Sequence, residues 1–257
     1  QILIQIDADP EEVGRNIPVM IGIAADGRLA LQDLLSELGG KTRTSNWTPQ
    51  ELESIRNTTA AEIRAMAPLQ VEIIDSIRKE LDDDAIMVSG TTEIGYWSHL
   101  AFPVLTPRSY LTSSYFATLG YAFPTALGAK VGNPDRQVVA TSGDGGFGYA
   151  SSELATAVQE NLNVVTILFN NESYGASYAD QQNRYGGRVI GTRIQNPDYA
   201  KLAESYGASG IKLSRPQELG PNLRDALKES GPVLIEVPIP NLVPPFQISP
   251  PGMVRRP

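Results

Sequence analysis

The chain has 257 residues, a formal charge of −8 and 41% apolar residues, enough for one large domain or one full domain with a piece of a neighbour. With no cysteine and a single histidine, His99, disulfides, thiolate zinc sites, cysteine nucleophiles and multi-histidine metal centres are excluded. The acidic balance and the lack of a basic run argue against nucleic acid. Small anions stay open, because a bound divalent cation inverts the local sign. A cysteine-free chain fits a reducing compartment, so a cytoplasmic location is expected. No basic region followed by an apolar core reads as a signal peptide. Ser109 to Ala129 is uncharged and long enough to span a bilayer, but its Ser, Thr, Tyr, Gly and Pro124 make it too polar for that role.

In chain order, Ile2 to Ile6 reads as a buried strand, followed by a turn at Asp7-Ala8-Asp9-Pro10. A short strand is expected near Val19 to Ile23. Asp26 can cap a helix carrying Leu31, Leu34, Leu35 and Leu38, closed by Gly39-Gly40. Residues 1–40 hold too few elements for an independent domain and read as the end of one whose beginning is missing. Residues 41–67 are expected to be a polar linker to Asn46, then a helix starting with Thr48 as cap, Pro49 in the first turn and Glu51 at the capping-box position.

From Pro68 to about residue 240 the pattern settles into strands alternating with helices. Val71, Ile74, Ile77 and Leu81 mark an amphipathic helix, and Ala85 to Ser89 a strand. Further strands are expected at Val138 to Thr141, Val164 to Phe169, Ile211 and Val233 to Val237. Helices are expected at Ser151 to Glu160, Tyr199 to Tyr206 and Gln217 to Glu229. This alternation predicts an α/β fold: a central parallel sheet with helices on both faces. Ligands in such sheets bind beyond the carboxyl ends of the strands. Residues 241–257 form a Pro-rich tail, expected at the surface.

The chemistry is concentrated in two motifs. Gly143-Asp144-Gly145-Gly146-Phe147-Gly148 stands at the end of one expected strand and Asn170-Asn171 at the end of the next. The residues between them make a loop, a helix and a strand, so both motifs should meet at one edge of the sheet. A diphosphate needs close backbone N–H groups, which glycine permits, and a helix N-terminus behind it. Its Mg2+ partner needs octahedral oxygen ligands. Asp144 offers a carboxylate, Asn171 an amide oxygen and Ser173 a backbone carbonyl; two phosphate oxygens and a water would complete six.

This pattern resembles the signature of thiamine diphosphate-dependent enzymes, a Gly-Asp-Gly followed by a helix, a strand and Asn-Asn. The likeness extends to Ala117-Thr118-Leu119-Gly120-Tyr121-Ala122-Phe123-Pro124, to Asn170-Asn171-Glu172-Ser173-Tyr174-Gly175, and to Gly231 through Val237. These segments are similar to the acetolactate synthase and benzoylformate decarboxylase group, and residues 1–40 resemble the end of that group's middle domain.

The resemblance implies a thiamine diphosphate-binding fold and an oligomer. It makes Asp144, Asn171 and Ser173 the metal ligands. The cofactor would be held by Gly143, Asp144, Gly145, Gly146, Asn171, Tyr174 and Gly175, with a turn at Gly95-Tyr96-Trp97 helping on the diphosphate. Leu119 would wedge beneath the thiazolium, and the Ala117 carbonyl would accept from the 4′-amine. The implied reaction is decarboxylation of a 2-oxo acid, with release of an aldehyde or addition to a second carbonyl. The family's activating glutamate belongs to a separate N-terminal domain that nothing here resembles. A companion polypeptide or subunit carrying it is therefore expected. Acetolactate synthases tend to carry a tryptophan beyond the Asn-Asn motif, and the corresponding place near Asp180 has none, which keeps a simple 2-oxo acid decarboxylase open.

Other readings are weaker on the residues. Gly143, Gly145 and Gly148 fit a dinucleotide fingerprint, but the acidic residue after the next strand, Glu172, comes too late. Gly40-Lys41-Thr42 echoes a phosphate-binding loop without its earlier glycine, since position 35 is Leu. His99 is a candidate proton donor, although lone histidines are more often structural. Tyr174 and Tyr178 are candidate pocket walls, and Asp82-Asp83-Asp84 reads as a solvated helix end. A non-catalytic cofactor-binding fragment is the reading from another class.

Overall fold

The structure, a computed structural model, describes residues 2–41, 47–113 and 116–247. The expected polar linker at 42–46, Thr42 of the phosphate-loop echo and the last ten residues of the tail lie outside them. The chain divides into two compact units, residues 1–55 and 56–257. Among the described residues no helix is long and apolar enough to cross a membrane.

In the first unit, β1 (Ile4–Asp7) pairs in parallel with β2 (Ile21–Ala24). Helix α1 (Gly27–Leu38) starts where the sequence predicts: the Asp26 carboxylate accepts from the Leu29 N–H at 3.1 Å. It ends in a left-handed Gly39. Leu31, Leu34, Leu35 and Leu38, the expected apolar face, are all exposed. Helix α2 (Pro49–Met66), which runs across the division at residue 55, opens with the expected capping box. Glu51 N–H donates to Thr48 Oγ1 at 3.2 Å, and the Glu51 carboxylate accepts from Thr48 N–H at 2.8 Å.

In the second unit, α3 (Pro68–Glu80) leads into β3 (Ile86–Ser89), α4 (Glu93–Ala101) and β4 (Tyr110–Thr112). Next come α5 (Ala122–Gly132), β5 (Val138–Gly143), the single turn α6 (Asp144–Phe147), α7 (Leu154–Gln159) and β6 (Val165–Asn170). The series closes with α8 (Gly175–Arg184), α9 (Tyr199–Tyr206), β7 (Ser209–Lys212), α10 (Leu219–Ala226) and β8 (Val233–Pro238). The strands form one sheet in the order β4-β3-β5-β6-β8-β7, parallel throughout. The expected α/β fold is therefore what forms. The helix expected at Gln217–Glu229 is shorter than its pattern, and the one expected at Ser151–Glu160 begins as a short 3-10 turn.

Burial follows the two-residue period of the strands. Met87, Val139, Ile167, Phe169, Val233, Ile235 and Val237 face α3, α4 and α10 with Ile74, Ile77, Trp97 and Leu223. Ile86, Val88, Val138, Ala140, Leu168 and Leu234 face the other way, onto Phe123, Leu127, Phe147, Leu154 and Tyr199. Burial on both faces is what keeps a parallel sheet continuous and apolar. A bidentate ion pair, Arg224 Nε and Nη2 to the Glu80 carboxylate at 2.7 Å each, ties α10 to α3 over the first core.

The strand order sets the location of the site. The chain leaves β3 for the edge strand β4 and then returns to β5 on the other side of β3, so loops from β3 and β5 diverge. Such a switch point opens a cleft at the carboxyl ends of the strands. Ile74 is completely buried under this arrangement. Truncation to Ala is expected to cost about 3 kcal/mol, read as a lower urea midpoint with an unchanged denaturant slope.

Candidate active site

Three strand exits build the site. The first follows β3. Gly90 N–H donates to Thr141 O at 2.8 Å, and Thr92 then caps α4 with its Oγ1 accepting from Gly95 N–H at 3.0 Å. The helix folds back so tightly that a Cβ on Gly95 would sit 2.2 Å from the Gly90 carbonyl. Glu93, in the first turn of α4, is consequently buried at 7% exposure. Burial pushes its carboxyl above the usual range, its own N–H and the Asn171 amide oppose that, and the Asp144 charge adds to it.

The second exit follows β5. Asp144 is 2% exposed, and burial raises its carboxyl. The Asn196 amide and the N–H groups of Gly145, Glu172 and Ser173 pull the other way. Asn196 Nδ2 lies 2.6 Å from Oδ2, and the Gly145 N–H donates to Oδ1 at 2.9 Å. The Tyr199 hydroxyl donates to the Asp144 carbonyl at 2.9 Å.

The third exit follows β6. Asn170 Oδ1 accepts from Glu172 N–H at 3.1 Å, closing a tight turn in which Glu172 takes a left-handed φ of 54°. Ser173 then forms an antiparallel bridge with Arg193 in which Tyr174 N–H donates to Thr192 O and Ile194 N–H to Glu172 O. In a pair of that type the N–H and C=O of Ser173 itself point away from the partner strand. Its N–H goes to Asp144, which puts its carbonyl on the Asp144 side as well. Asn171 Nδ2 donates to Glu93 Oε1 at 3.1 Å and to Asn241 Oδ1 at 3.2 Å.

These exits surround an open cavity of about 420 Å³, lined among others by Thr91, Thr92, Glu93, Tyr96, Ala117, Leu119, Gly143, Asp144, Gly145, Gly146, Tyr149, Ser173, Tyr174 and Gly175. Ala117 has a left-handed φ of 46°, and its carbonyl accepts from Thr91 Oγ1 at 3.3 Å. A wider cleft of about 1040 Å³ shares Ala176 and Ser177 with this cavity and runs along Asp180, Gln181, Arg184, Arg188 and Phe246.

Most of the residues singled out in the sequence come together here, and the exceptions are instructive. Gly95-Tyr96-Trp97 is not a turn but part of α4. The N–H of Gly95 goes to the Thr92 cap and that of Tyr96 to the Thr92 carbonyl at 2.9 Å, so neither is left for a diphosphate. Trp97 is in the core, its Nε1 donating to Val243 O at 2.9 Å; only Tyr96 lines the cavity. Asn171 lies beside the cavity, not on its lining. His99 is exposed, edge-on to Tyr110 at 5.7 Å, and lines neither cavity. Tyr178 is outside both, with Arg193 over its ring at 5.9 Å. Asp82, Asp83 and Asp84 are exposed at the end of α3, and no acidic or histidine cluster able to hold a metal is found among the described residues.

Nothing in the sequence pattern pointed to Glu93, Asn196 or Asn241. The first was hidden in a helix start that read as a turn, and the other two come from segments without a spacing signature. Asn241 belongs to the Pro-rich tail, whose described part lies against the site: Phe246 meets Tyr96 edge-on at 4.9 Å.

A strand-end carboxylate, an amide oxygen and a backbone carbonyl beside a glycine-rich helix start fit a hard cation that carries a phosphorylated ligand. The comparisons agree. Residues 90–237 match the model described as "Thiamine pyrophosphate enzyme, C-terminal TPP binding domain", and the chain belongs to that family. It is 35% identical over 91% of its length to a "Probable 2-ketoarginine decarboxylase AruI" of Pseudomonas aeruginosa. It is 32% identical over 92% to a "Probable acetolactate synthase large subunit" of Methanococcus aeolicus, and 33% identical over 87% to the acetolactate synthase large subunit of Haemophilus influenzae. These matches cover 42%, 43% and 40% of the relatives, so the chain spans less than half their length.

Gly175 offers a sharp test of this packing. A Cβ there would stand 1.5 Å from Glu93 Oε1 and 2.8 Å from Asn171 Nδ2. Gly175→Ala is expected to destabilise the chain by about 2 kcal/mol through overpacking. Thermal melting checks this, and a melting temperature equal to that of the wild type would contradict the geometry.

Proposed function

We propose that this chain supplies the diphosphate- and metal-binding half of a thiamine diphosphate- and Mg2+-dependent enzyme that decarboxylates or carboligates 2-oxo acids, in the manner of acetolactate synthase. The observation that carries this is the convergence of Asp144, Asn171 and Ser173 at the carboxyl ends of β5 and β6, beside a cavity bounded by Leu119 and Ala117. When bound, the cofactor would supply the nucleophile and the electron sink for loss of carbon dioxide.

The chain's own residues have distinct tasks in this reading. Asp144 and Asn171 contribute side-chain oxygens to Mg2+ and Ser173 its carbonyl. Gly143, Gly145 and Gly146 keep the floor clear of side chains where phosphate oxygens approach. Leu119 presents an apolar surface to the cofactor rings, and Tyr174 packs over Gly145, where a Cβ would meet its ring at 2.6 Å. Residues 1–40 are the end of a middle domain, 41–67 a linker and helix, 68–240 the cofactor-binding domain and 241–257 a Pro-rich tail, of which the described part, to Gln247, lies against one side of the site. The activating glutamate comes from a companion polypeptide or subunit.

A simple decarboxylase is the second reading, favoured by the polar cleft wall at Asp180, Gln181 and Arg184, where acetolactate synthases place a tryptophan. Incubation with a panel of 2-oxo acids, scored for carbon dioxide and for coupled product, separates the two; aldehyde as sole product rejects carboligation. Denatured mass of the purified enzyme shows whether a second polypeptide travels with this one. Turnover by this chain alone would remove the need for a companion, and cofactor binding without turnover would support a non-catalytic fragment.

Asp144→Ala is expected to weaken Mg2+-dependent thiamine diphosphate binding by roughly a hundredfold or more, measured by calorimetry with and without chelator. Binding that ignores both the substitution and the chelator would reject the metal site.

A further inference from the structure

Among the candidate metal ligands, the Asn171 amide alone presents two chemically opposite faces that exchange by a half-turn of its last bond. Only its oxygen can coordinate a hard cation. In the structure both amide hydrogens are engaged, one by Glu93 Oε1 at 3.1 Å and the other by Asn241 Oδ1 at 3.2 Å, and Asn241 Oδ1 also accepts from Ser173 Oγ at 2.6 Å. A serine hydroxyl gives or takes a hydrogen bond, and Asn241 can itself turn over, so neither decides the sense of the chain. A carboxylate has no proton to give. Glu93 therefore fixes the direction: its oxygen demands the Asn171 NH2, which demands the Asn241 oxygen, which demands the Ser173 hydroxyl as donor.

We propose that Glu93 is a positioning residue that locks the Asn171 amide with its oxygen turned toward the metal position beside Asp144. This rests on reading Asn171 and Ser173 as ligands. The local fold is built for it. Glu93 is held in the first turn of α4 by the Thr92 cap, and its carboxylate occupies the space that the missing side chain of Gly175 leaves open. Groups behind a metal ligand commonly set ligand orientation and affinity in this way.

The test uses the full chain, thiamine diphosphate and Mn2+ as probe, with free Mn2+ followed by electron paramagnetic resonance. Glu93→Gln keeps an acceptor oxygen but can turn over, so it no longer fixes the sense of the chain and should weaken Mn2+ binding about three- to tenfold. Glu93→Leu removes it and should weaken binding roughly ten- to a hundredfold. In an Asn171→Asp background, where the two oxygens are equivalent, Glu93→Leu should no longer weaken binding. Side-chain amide exchange of Asn171, read by NMR without metal, should quicken in Glu93→Leu and, to a lesser extent, in Glu93→Gln.

Glu93→Leu matching wild type in both readouts would overturn the proposal. So would Glu93→Gln matching wild type, since an amide that can turn over fixes no direction. A wild-type chain that takes up no Mn2+ would remove the ligand reading and the role of Glu93 with it, even with the amide protected.

Discussion

Asp144 sets a carboxylate at the carboxyl end of a central strand with only 2% of the residue exposed. Stranding a charge there costs several kcal/mol unless it is matched. The Asn196 amide and the N–H groups of Gly145, Glu172 and Ser173 all point at it, and each hydrogen bond to a charged group returns about 1.5–3 kcal/mol. A divalent cation bound on the open side would complete the compensation. Much of the surrounding architecture exists to deliver those donors: the bulge of chain after β6, the bridge between Ser173 and Arg193, and the loop that carries Asn196.

The same requirement spreads into the sheet. Asn196 Nδ2 also reaches Asn170 Oδ1 at 2.9 Å, and Asn170 Nδ2 donates to Glu236 Oε1 at 2.8 Å. Glu236, itself 3% exposed on β8, accepts from Tyr199 N–H at 3.2 Å and pairs with Lys212 at 3.6 Å. Two buried carboxylates are thus joined through two asparagine amides. A network of this kind stabilises only when every member is satisfied, which makes the first asparagine of the Asn-Asn pair a structural hub, whereas the NH2 of the second is held by Glu93 and Asn241 outside that network.

What the sequence disclosed follows from how locally each feature is specified. The parallel sheet was legible because strands buried on both faces leave apolar runs between helices of regular length. The Gly-Asp-Gly and Asn-Asn pairs were legible because a glycine-rich strand exit and a strand-ending amide are fixed by neighbouring backbone, and the register Gly143 to Phe169 brings them side by side. Glu93, Asn196 and Asn241 were not, since their roles depend on contacts 78, 52 and 70 residues away along the chain. Trp97 misled for a related reason. Its tripeptide has the look of a turn, while the Thr92 cap and the apolar indole commit it to a helix and to the core.

Ala117 shows sequence and structure meeting at one position. Its left-handed φ of 46° costs a non-glycine residue about 1–2 kcal/mol, a conformation that glycine would take without strain. The strain holds the Ala117 carbonyl at the cavity, where Thr91 engages one lone pair. Opposite, the start of α8 is lodged against Glu93 because Gly175 has no side chain. The next residues, Ala176 and Ser177, border both the cofactor-sized cavity and the wider cleft. Whatever fixes Glu93 and Asn171 therefore also fixes the start of α8 and the near wall of the cleft, while farther along the helix Gln181 is held by the loop at Ile190 and Thr192.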